Sequence, residues 1–245
     1  MSRSYDLVVI GAGSGGLVGA TFAAQLGARV VLVEKNRIGG DCTWTGCVPS
    51  KALLRVARVA HELRRAGEYG LTTSPPCTDM GQVAAYVRRA IAAVYTYETP
   101  AALAEKGIEF VAGNAEFLDQ RNVRVGDAVL SARRFLICTG ARAVIPPVSG
   151  LTDVPFLTYE RFFENERLPA HLLIIGSGPI ALEMAVAYRR LGAEVSVVGR
   201  RILPREDDDV RAFVTDVLHR ERIRVIEGAA TDASYRVTAE SSVSP

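Results

Sequence analysis

Cys42 and Cys47 are the residues whose type and spacing most directly suggest chemistry. Four residues separate them, and Gly46 stands just before the second cysteine. Pro49 suits the first turn of a helix, and apolar residues recur at helical spacing after it, which predicts a helix over 50–65. Cys47 should therefore lie at a helix N-terminus, where free N–H groups and the helix dipole favour a thiolate.

A disulfide between these two cysteines would close a very short loop. Such a loop constrains the unfolded chain little, and a strained, exposed bridge is easily reduced. The spacing therefore favours a disulfide that opens and closes during function. Two alternatives stay open, a purely structural bridge and half of a zinc site. The chain offers no second close pair of cysteines or histidines as further zinc ligands, so we expect no metal site.

Composition and charge limit the classes of function. The 245 residues are 49% hydrophobic and 23% charged, which is typical of a globular α/β protein. The formal net charge of +2 gives no electrostatic reason to expect nucleic acid as a partner. Residues 7–28 carry no charge, but six glycines interrupt them. This favours a strand, a turn and a buried helix over a signal peptide or a membrane span, and we expect a cytoplasmic protein.

A glycine-rich turn follows the first apolar run, which ends at Ile10 and predicts a buried strand. A small-residue helix and a second buried strand come next, which is the order of a dinucleotide-binding fingerprint. Gly11 allows the tight turn, Gly13 lets the backbone approach a pyrophosphate, and Gly16 lets the helix pack closely. The alternative is a glycine-rich turn without a ligand. The candidate binding residues are Gly11, Gly13, Ser14, Gly15 and Gly16, with Glu34 for ribose hydroxyls and Lys35 beside it.

A second fingerprint is predicted from a strand over 172–175, a helix over 181–191 and a strand over 194–198. Its turn contributes the candidates Gly176, Gly178, Pro179 and Ile180. An acid at the end of the second strand would favour NAD, but Arg200 and Arg201 stand there, and arginine accommodates the 2′-phosphate of NADPH. We therefore expect NADPH, with NADH as the alternative if these arginines only face solvent.

The region between the fingerprints predicts a long helix over 80–106, which Pro100 kinks or splits, and then a set of short strands. A linker is predicted at 145–150. The fold class is α/β, with two Rossmann-like parallel-sheet domains, the first bearing an antiparallel β-meander and the second incomplete. The short strands are predicted over 108–111, 115–118, 122–125, 128–131 and 134–138.

The sequences Gly-Gly-Asp-Cys at 39–42 and Gly-Cys-Val-Pro-Ser-Lys at 46–51 resemble the active-site signature of the flavin-dependent pyridine nucleotide–disulfide oxidoreductases. That family includes dihydrolipoamide dehydrogenase, glutathione reductase and mercuric reductase, and Thr-Trp-Thr at 43–45 is most similar to mercuric reductase-like members. The resemblance implies FAD on the first turn and a nicotinamide nucleotide on the second. It adds Gly40, Asp41, Thr139 and Gly140 to the candidate flavin-binding residues.

The resemblance also implies a mechanism. NADPH or NADH passes hydride to the flavin, which reduces the disulfide through Cys47, and Cys42 then exchanges with substrate. Lys51, paired with Glu183, would stabilise the reduced flavin. Without the resemblance, Glu183 is an acid near a helix N-terminus, where negative charge is favourable.

The resemblance covers residues 4–228, and we expect an FAD-binding domain over 1–147 and a partial NAD(P)-binding domain over 148–230. Residues 229–245 are polar, small and weakly patterned, which predicts a disordered tail over 231–245. Relatives continue into a dimerisation domain and form homodimers. We therefore expect a truncated oxidoreductase with impaired turnover on a small-molecule disulfide, a dithiol or a metal ion. The alternatives are a non-catalytic FAD-binding remnant and an unusual complete enzyme that uses only the cysteine pair.

Overall fold

A computed structural model describes residues 3–233. The strands are β1 (Arg3–Ile10), β2 (Val30–Glu34), β3 (Ile108–Ala112), β4 (Ala115–Phe117), β5 (Asn122–Val125), β6 (Ala128–Ile137), β7 (His171–Ile175), β8 (Glu194–Gly199) and β9 (Arg224–Glu227). The helices are α1 (Ser14–Gln25), α2 (Gly40–Trp44), α3 (Cys47–Arg65), α4 (Met80–Tyr95), α5 (Pro100–Glu105), α6 (Tyr159–Phe162), α7 (Pro179–Leu191) and α8 (Asp208–Arg220). The α/β fold class is confirmed.

The larger sheet has six strands in the order β3-β2-β1-β6-β5-β4. Its first four strands are parallel neighbours, and β5 and β4 extend it as antiparallel strands. The strands of the predicted meander therefore belong to the same sheet as the parallel strands. The two strands predicted at 128–131 and 134–138 are one ten-residue strand, β6, which pairs with β1 on one side and β5 on the other.

The apolar runs of β1 and β2 form strands because both faces of the sheet are covered. Alternate side chains enter different clusters, as the two-residue period of a strand requires. On one face Val8 and Val31 pack with residues of β5 and β6. On the other face Val9 and Leu32 pack with Leu103 of α5 and with Ile108.

Proline and capping residues set the helix boundaries around the sheet. The single helix predicted over 80–106 is two helices, because Pro100 begins α5 and the Thr99 hydroxyl caps that helix by accepting the Ala102 N–H at 3.2 Å. The Asp79 carboxylate caps α4 in the same way, by accepting the Gln82 N–H at 3.1 Å. The helix predicted over 50–65 begins earlier, at Cys47, with Pro49 in its first turn.

The smaller sheet is a parallel βαβαβ unit in the order β7-β8-β9. Helix α7 connects β7 to β8, and α8 connects β8 to β9. Tyr188 of α7 is buried in its core, and the Arg190 guanidinium forms an ion pair with the Glu221 carboxylate at the end of α8. Within residues 3–233, none of the helices combines the length and the hydropathy that crossing a bilayer requires.

The chain divides into two compact units. The first comprises the chain up to Val56 with Asp79–Ala143 and Tyr159–Arg167, and the second comprises Ala57–Thr78, Val144–Thr158 and the chain from Leu168. The domain boundary at 148 stays a prediction. The predicted disordered tail falls mainly on residues 234–245, which lie outside the described residues.

Leu103→Ala should destabilise the protein strongly. Leu103 is 0% exposed, so the substitution leaves a cavity and should lower the free energy of unfolding by about 2–5 kcal/mol in a urea titration. Leu118→Ala is the matched control, because Leu118 is 46% exposed and should cost less than about 1 kcal/mol. Equal losses in the two variants would contradict the packing of α5.

Candidate active site

The predicted flavin-binding residues of the first unit lie at one edge of the larger sheet. Strands β1, β2 and β6 are parallel, so their carboxyl ends meet at that edge. The turn over 11–16 follows β1, Glu34 and Lys35 end and follow β2, and Thr139 and Gly140 come just after β6. In open α/β sheets this is the edge where ligands bind.

The first turn has the geometry of a pyrophosphate site. Gly11 has a φ of +102°, and a side chain on it would overlap the carbonyl oxygen of Cys138, while one on Gly16 would overlap that of Gly11. Helix α1 begins at Ser14 with an uncharged first turn, and among residues 3–233 no side chain caps its N-terminal N–H groups. These N–H groups and the helix dipole suit a phosphate anion, so the residues present fit FAD.

Glu34 is oriented by the turn itself. Its carboxylate accepts the N–H of Ala12 at 2.8 Å and that of Asn36 at 2.7 Å. A carboxylate has about four acceptor sites, so ribose hydroxyls could still donate to this group. Lys35, the next residue, is exposed.

The segment that carries the cysteines is joined to the first turn through its backbone. The Gly39 N–H donates to the Ala12 carbonyl at 2.8 Å. A Cβ on Gly40 would lie 2.7 Å from the Cα of Gly13, so only glycine permits this approach. Both glycines of the segment have positive φ, +102° at Gly39 and +54° at Gly40, which glycine adopts without strain.

Asp41 follows this contact and is held by a tyrosine from α6. The Tyr159 hydroxyl donates to the Asp41 carboxylate at 3.2 Å. Burial raises the pKa of Tyr159, and the Asp41 charge adds to that rise. Tyr159 therefore stays a neutral donor at neutral pH.

Cys42 on α2 and Cys47 at the start of α3 are both free thiols, and Cys42 lies close enough to affect the pKa of Cys47. Cys42 is half-buried and Cys47 is exposed. The hydrogen bond to Cys42 and partial burial raise the pKa of Cys47 above its ordinary value, although its backbone and the Lys51 charge oppose the rise. This direction is opposite to the one that the helix N-terminus favours, and the neighbouring Cys42 thiol is its largest cause.

Side chains that the sequence pattern did not single out hold α2 in place. The buried Thr43 hydroxyl donates to the Glu98 carboxylate, and the Trp44 indole N–H donates to the Ile38 carbonyl at 2.7 Å. The Trp44 ring also packs on Tyr95, with ring centroids 5.2 Å apart. No local signal predicts α2, Glu98 or Tyr159, because α2 is five residues long and its partners are distant in sequence.

The second turn lies at the start of α7. Gly176 has a φ of +125°, Gly178 is the N-cap, and Pro179 and Ile180 open the helix. Its first turn is uncharged, and within the described residues no side chain caps it, as in α1. The Ser177 hydroxyl donates to the Arg201 carbonyl at 2.7 Å, which joins this turn to the end of β8.

The two arginines after β8 differ in their surroundings. The Arg201 guanidinium donates to the Asp208 carboxylate at 2.9 Å, and Asp208 also pairs with Arg211, which lowers the pKa of Asp208. Arg200 is exposed. An anion at Arg201 would have to compete with Asp208.

Two predicted site features remain to be placed. Lys51 is exposed on the first turns of α3, and Glu183 is half-buried on α7. They belong to different compact units, and their pairing stays a prediction. Among residues 3–233, no group of three or more His, Cys, Asp or Glu side chains is arranged to hold a metal ion.

A dithiol joined to a turn that suits a pyrophosphate is a combination that an oxidoreductase acting on disulfides with a dinucleotide cofactor can use. The family described as pyridine nucleotide-disulphide oxidoreductase matches residues 5–242. The chain therefore belongs to this family, which confirms the resemblance of residues 39–51.

Relatives agree with this assignment. The chain is 33% identical to a mercuric reductase of Lysinibacillus sphaericus over 228 residues, 92% of this chain and 42% of that protein. It is 36% identical to a dihydrolipoyl dehydrogenase of Zymomonas mobilis over 251 residues, 98% of this chain and 54% of that protein. It also resembles the HOCl-induced flavoprotein disulfide reductase RclA from Escherichia coli, with a TM-score of 0.78 and 27% identity over 93% of this chain and 50% of that one. The chain spans about half the length of the relatives it matches.

Removing the partner thiol should lower the pKa of Cys47. Cys42→Ala deletes the hydrogen bond that raises this pKa, so the thiolate fraction of Cys47 at neutral pH should increase. Lys51→Met should raise the pKa of Cys47 above its wild-type value, because it deletes a neighbouring positive charge.

The measurement for both variants is the rate of iodoacetamide alkylation of Cys47 against pH, resolved by peptide mass spectrometry. The exposed Cys77 serves as an internal reference in every variant. An unchanged Cys47 profile in Cys42→Ala would refute the sulfur–sulfur hydrogen bond.

Proposed function

We propose that this chain is an FAD-dependent oxidoreductase that passes electrons from NAD(P)H to the Cys42–Cys47 pair. The observation that carries this proposal is the backbone contact between the cysteine segment and the first nucleotide turn. There the Gly39 N–H reaches the Ala12 carbonyl, and Gly40 lies against Gly13. A redox pair joined to a pyrophosphate turn can react with what that turn binds.

The residues of the first unit have distinct roles in this proposal. The N–H groups at the start of α1, from Ser14 to Gly16, would hold the pyrophosphate of FAD, and Glu34 would hold its ribose. Gly40, Asp41, Thr139 and Gly140 would complete the cradle. When bound, FAD supplies a group that can accept a hydride and pass its two electrons to a disulfide.

The cysteines carry out the thiol chemistry. Two electrons and two protons convert the Cys42–Cys47 disulfide into two thiols. We assign Cys47 to the flavin side and Cys42 to exchange with substrate, following the family resemblance. Lys51 would add positive charge on the flavin side, and Glu183 would orient its ammonium group.

The second turn would hold the nicotinamide nucleotide at the start of α7, with Gly176, Gly178, Pro179 and Ile180 around its pyrophosphate. We infer NADPH as the preferred form, because Arg200 and Arg201 follow β8 where an acid would favour NADH.

The substrate we propose is a small disulfide, a dithiol or a metal ion, since relatives are named mercuric reductase and dihydrolipoyl dehydrogenase. A second candidate is an FAD-binding module without turnover, which stays open because the chain spans about half of those relatives' length.

Purified protein tests the electron path. Under anaerobic conditions and at a pH above the raised pKa of Cys47, NADPH should bleach the flavin absorbance of the FAD-loaded chain and then produce a long-wavelength band from a thiolate beside the flavin. Cys47→Ser should abolish that band, whereas Cys42→Ser should retain it, and Cys77→Ser is the control. Bound flavin that NADPH does not bleach would favour the binding module, and a band that survives in Cys47→Ser would refute the role of Cys47.

Nucleotide preference can be measured without turnover. Wild-type protein should bind 2′,5′-ADP about tenfold more tightly than 5′-AMP in calorimetry, and Arg200→Ala should remove most of that difference. Arg220→Ala, which changes an exposed arginine paired with Asp216 on α8, should leave it intact. Equal affinity of wild type for both ligands would contradict the NADPH assignment.

A further inference from the structure

A buried hydroxyl–carboxylate contact stands beside Cys42. Thr43 is 2% exposed, and its Oγ1 donates to both Glu98 carboxylate oxygens, at 3.0 and 2.8 Å. Thr43 is the residue after Cys42 on the same short helix, α2. Any rotation of α2 that turned the Cys42 side chain would also break this contact.

The backbone that carries Glu98 is itself well held. Glu98 lies in the turn between α4 and α5, where its N–H donates to the Tyr95 carbonyl at 2.9 Å. Thr99, the next residue, caps α5 through the Ala102 N–H. Glu98 is therefore fixed on both sides and can act as an anchor.

The same carboxylate also meets the chain on the other side of Cys42. A Cβ on Gly39 would lie 2.5 Å from Oε2 of Glu98 and 2.7 Å from Cβ of Thr43. Glu98 thus occupies the space between the residue before α2 and the residue after Cys42. The absence of a side chain at Gly39 is what allows this arrangement.

We propose that Glu98 is a positioning residue that, through Thr43, fixes the rotation of α2 and so directs the Cys42 sulfur toward Cys47. It sets the equilibrium between the dithiol and the disulfide without touching either sulfur. This inference rests on the proposed redox function of the cysteine pair and names the residue that tunes it.

Glutathione makes this equilibrium measurable. The protein dithiol reacts with glutathione disulfide through a mixed disulfide, and the second thiol then displaces glutathione. Overall the two protein thiols give two electrons and two protons to one glutathione disulfide, which becomes two molecules of glutathione. The equilibrium constant grows with the effective concentration of one protein thiol at the other, and a fixed α2 keeps that concentration high.

The experiment is a titration of the purified chain, in a Cys77→Ser background, against mixtures of reduced and oxidised glutathione. Differential alkylation and mass spectrometry report the Cys42–Cys47 state. Thr43→Val and Glu98→Ala should lower the equilibrium constant for disulfide formation about tenfold, which is about 30 mV toward a more oxidising potential. Thr43→Ser keeps the hydroxyl donor, and Glu98→Gln keeps an oxygen acceptor. The equilibrium constant of each variant should therefore stay within about threefold of that of the Cys77→Ser parent.

Glu105→Ala is the matched control, since Glu105 is an exposed glutamate at the end of α5 and should leave the constant unchanged. If Glu98→Ala loses its circular dichroism spectrum, the comparison of Thr43→Val with Thr43→Ser decides. Equal equilibrium constants for disulfide formation in Thr43→Val and Thr43→Ser would overturn the proposal. The titration uses neither flavin nor NADPH, so its result is separate from the test of the electron path.

Discussion

The peptide units on either side of Ala12 are the junction on which the candidate active site depends. The Ala12 N–H donates to the Glu34 carboxylate, and the Ala12 carbonyl accepts the N–H of Gly39. Ala12 is fully buried, so water cannot replace either bond. One residue therefore joins the first glycine turn, the Glu34 carboxylate and the segment that carries the cysteines. Buried backbone groups must be paired, which makes this connection costly to break.

The rest of the redox segment follows from that junction. Gly39 and Gly40 adopt positive φ, and Gly40 meets Gly13 backbone to backbone, so α2 begins directly against the turn. Cys42 lies on the first turns of α2, and Cys47 opens α3. In the reduced form, the neighbouring Cys42 thiol raises the pKa of Cys47.

Patterns with a local physical cause were predictable from the sequence. The glycine turns at 11–16 and 176–181, the strands beside them and the break at Pro100 depend on backbone conformation and short-range periodicity. Strand β6 was predicted as two strands with a break at residues 132–133, yet Ala132 and Arg133 lie within one continuous strand. The Glu98 contact joins residues 55 positions apart in the sequence, so no short window of sequence contains both.

The affinity of the chain for FAD tests most directly whether the backbone contact between Gly13 and Gly40 forms the flavin site. Gly40→Ala forces a side chain into that contact, so flavin fluorescence titration should show FAD bound at least about tenfold more weakly than by wild type. Gly126→Ala is the matched control, because Gly126 has a similar φ of +57° and no described atom lies within 4 Å of the added Cβ. It should bind FAD as wild type does. Equal affinity of Gly40→Ala and Gly126→Ala would contradict the account.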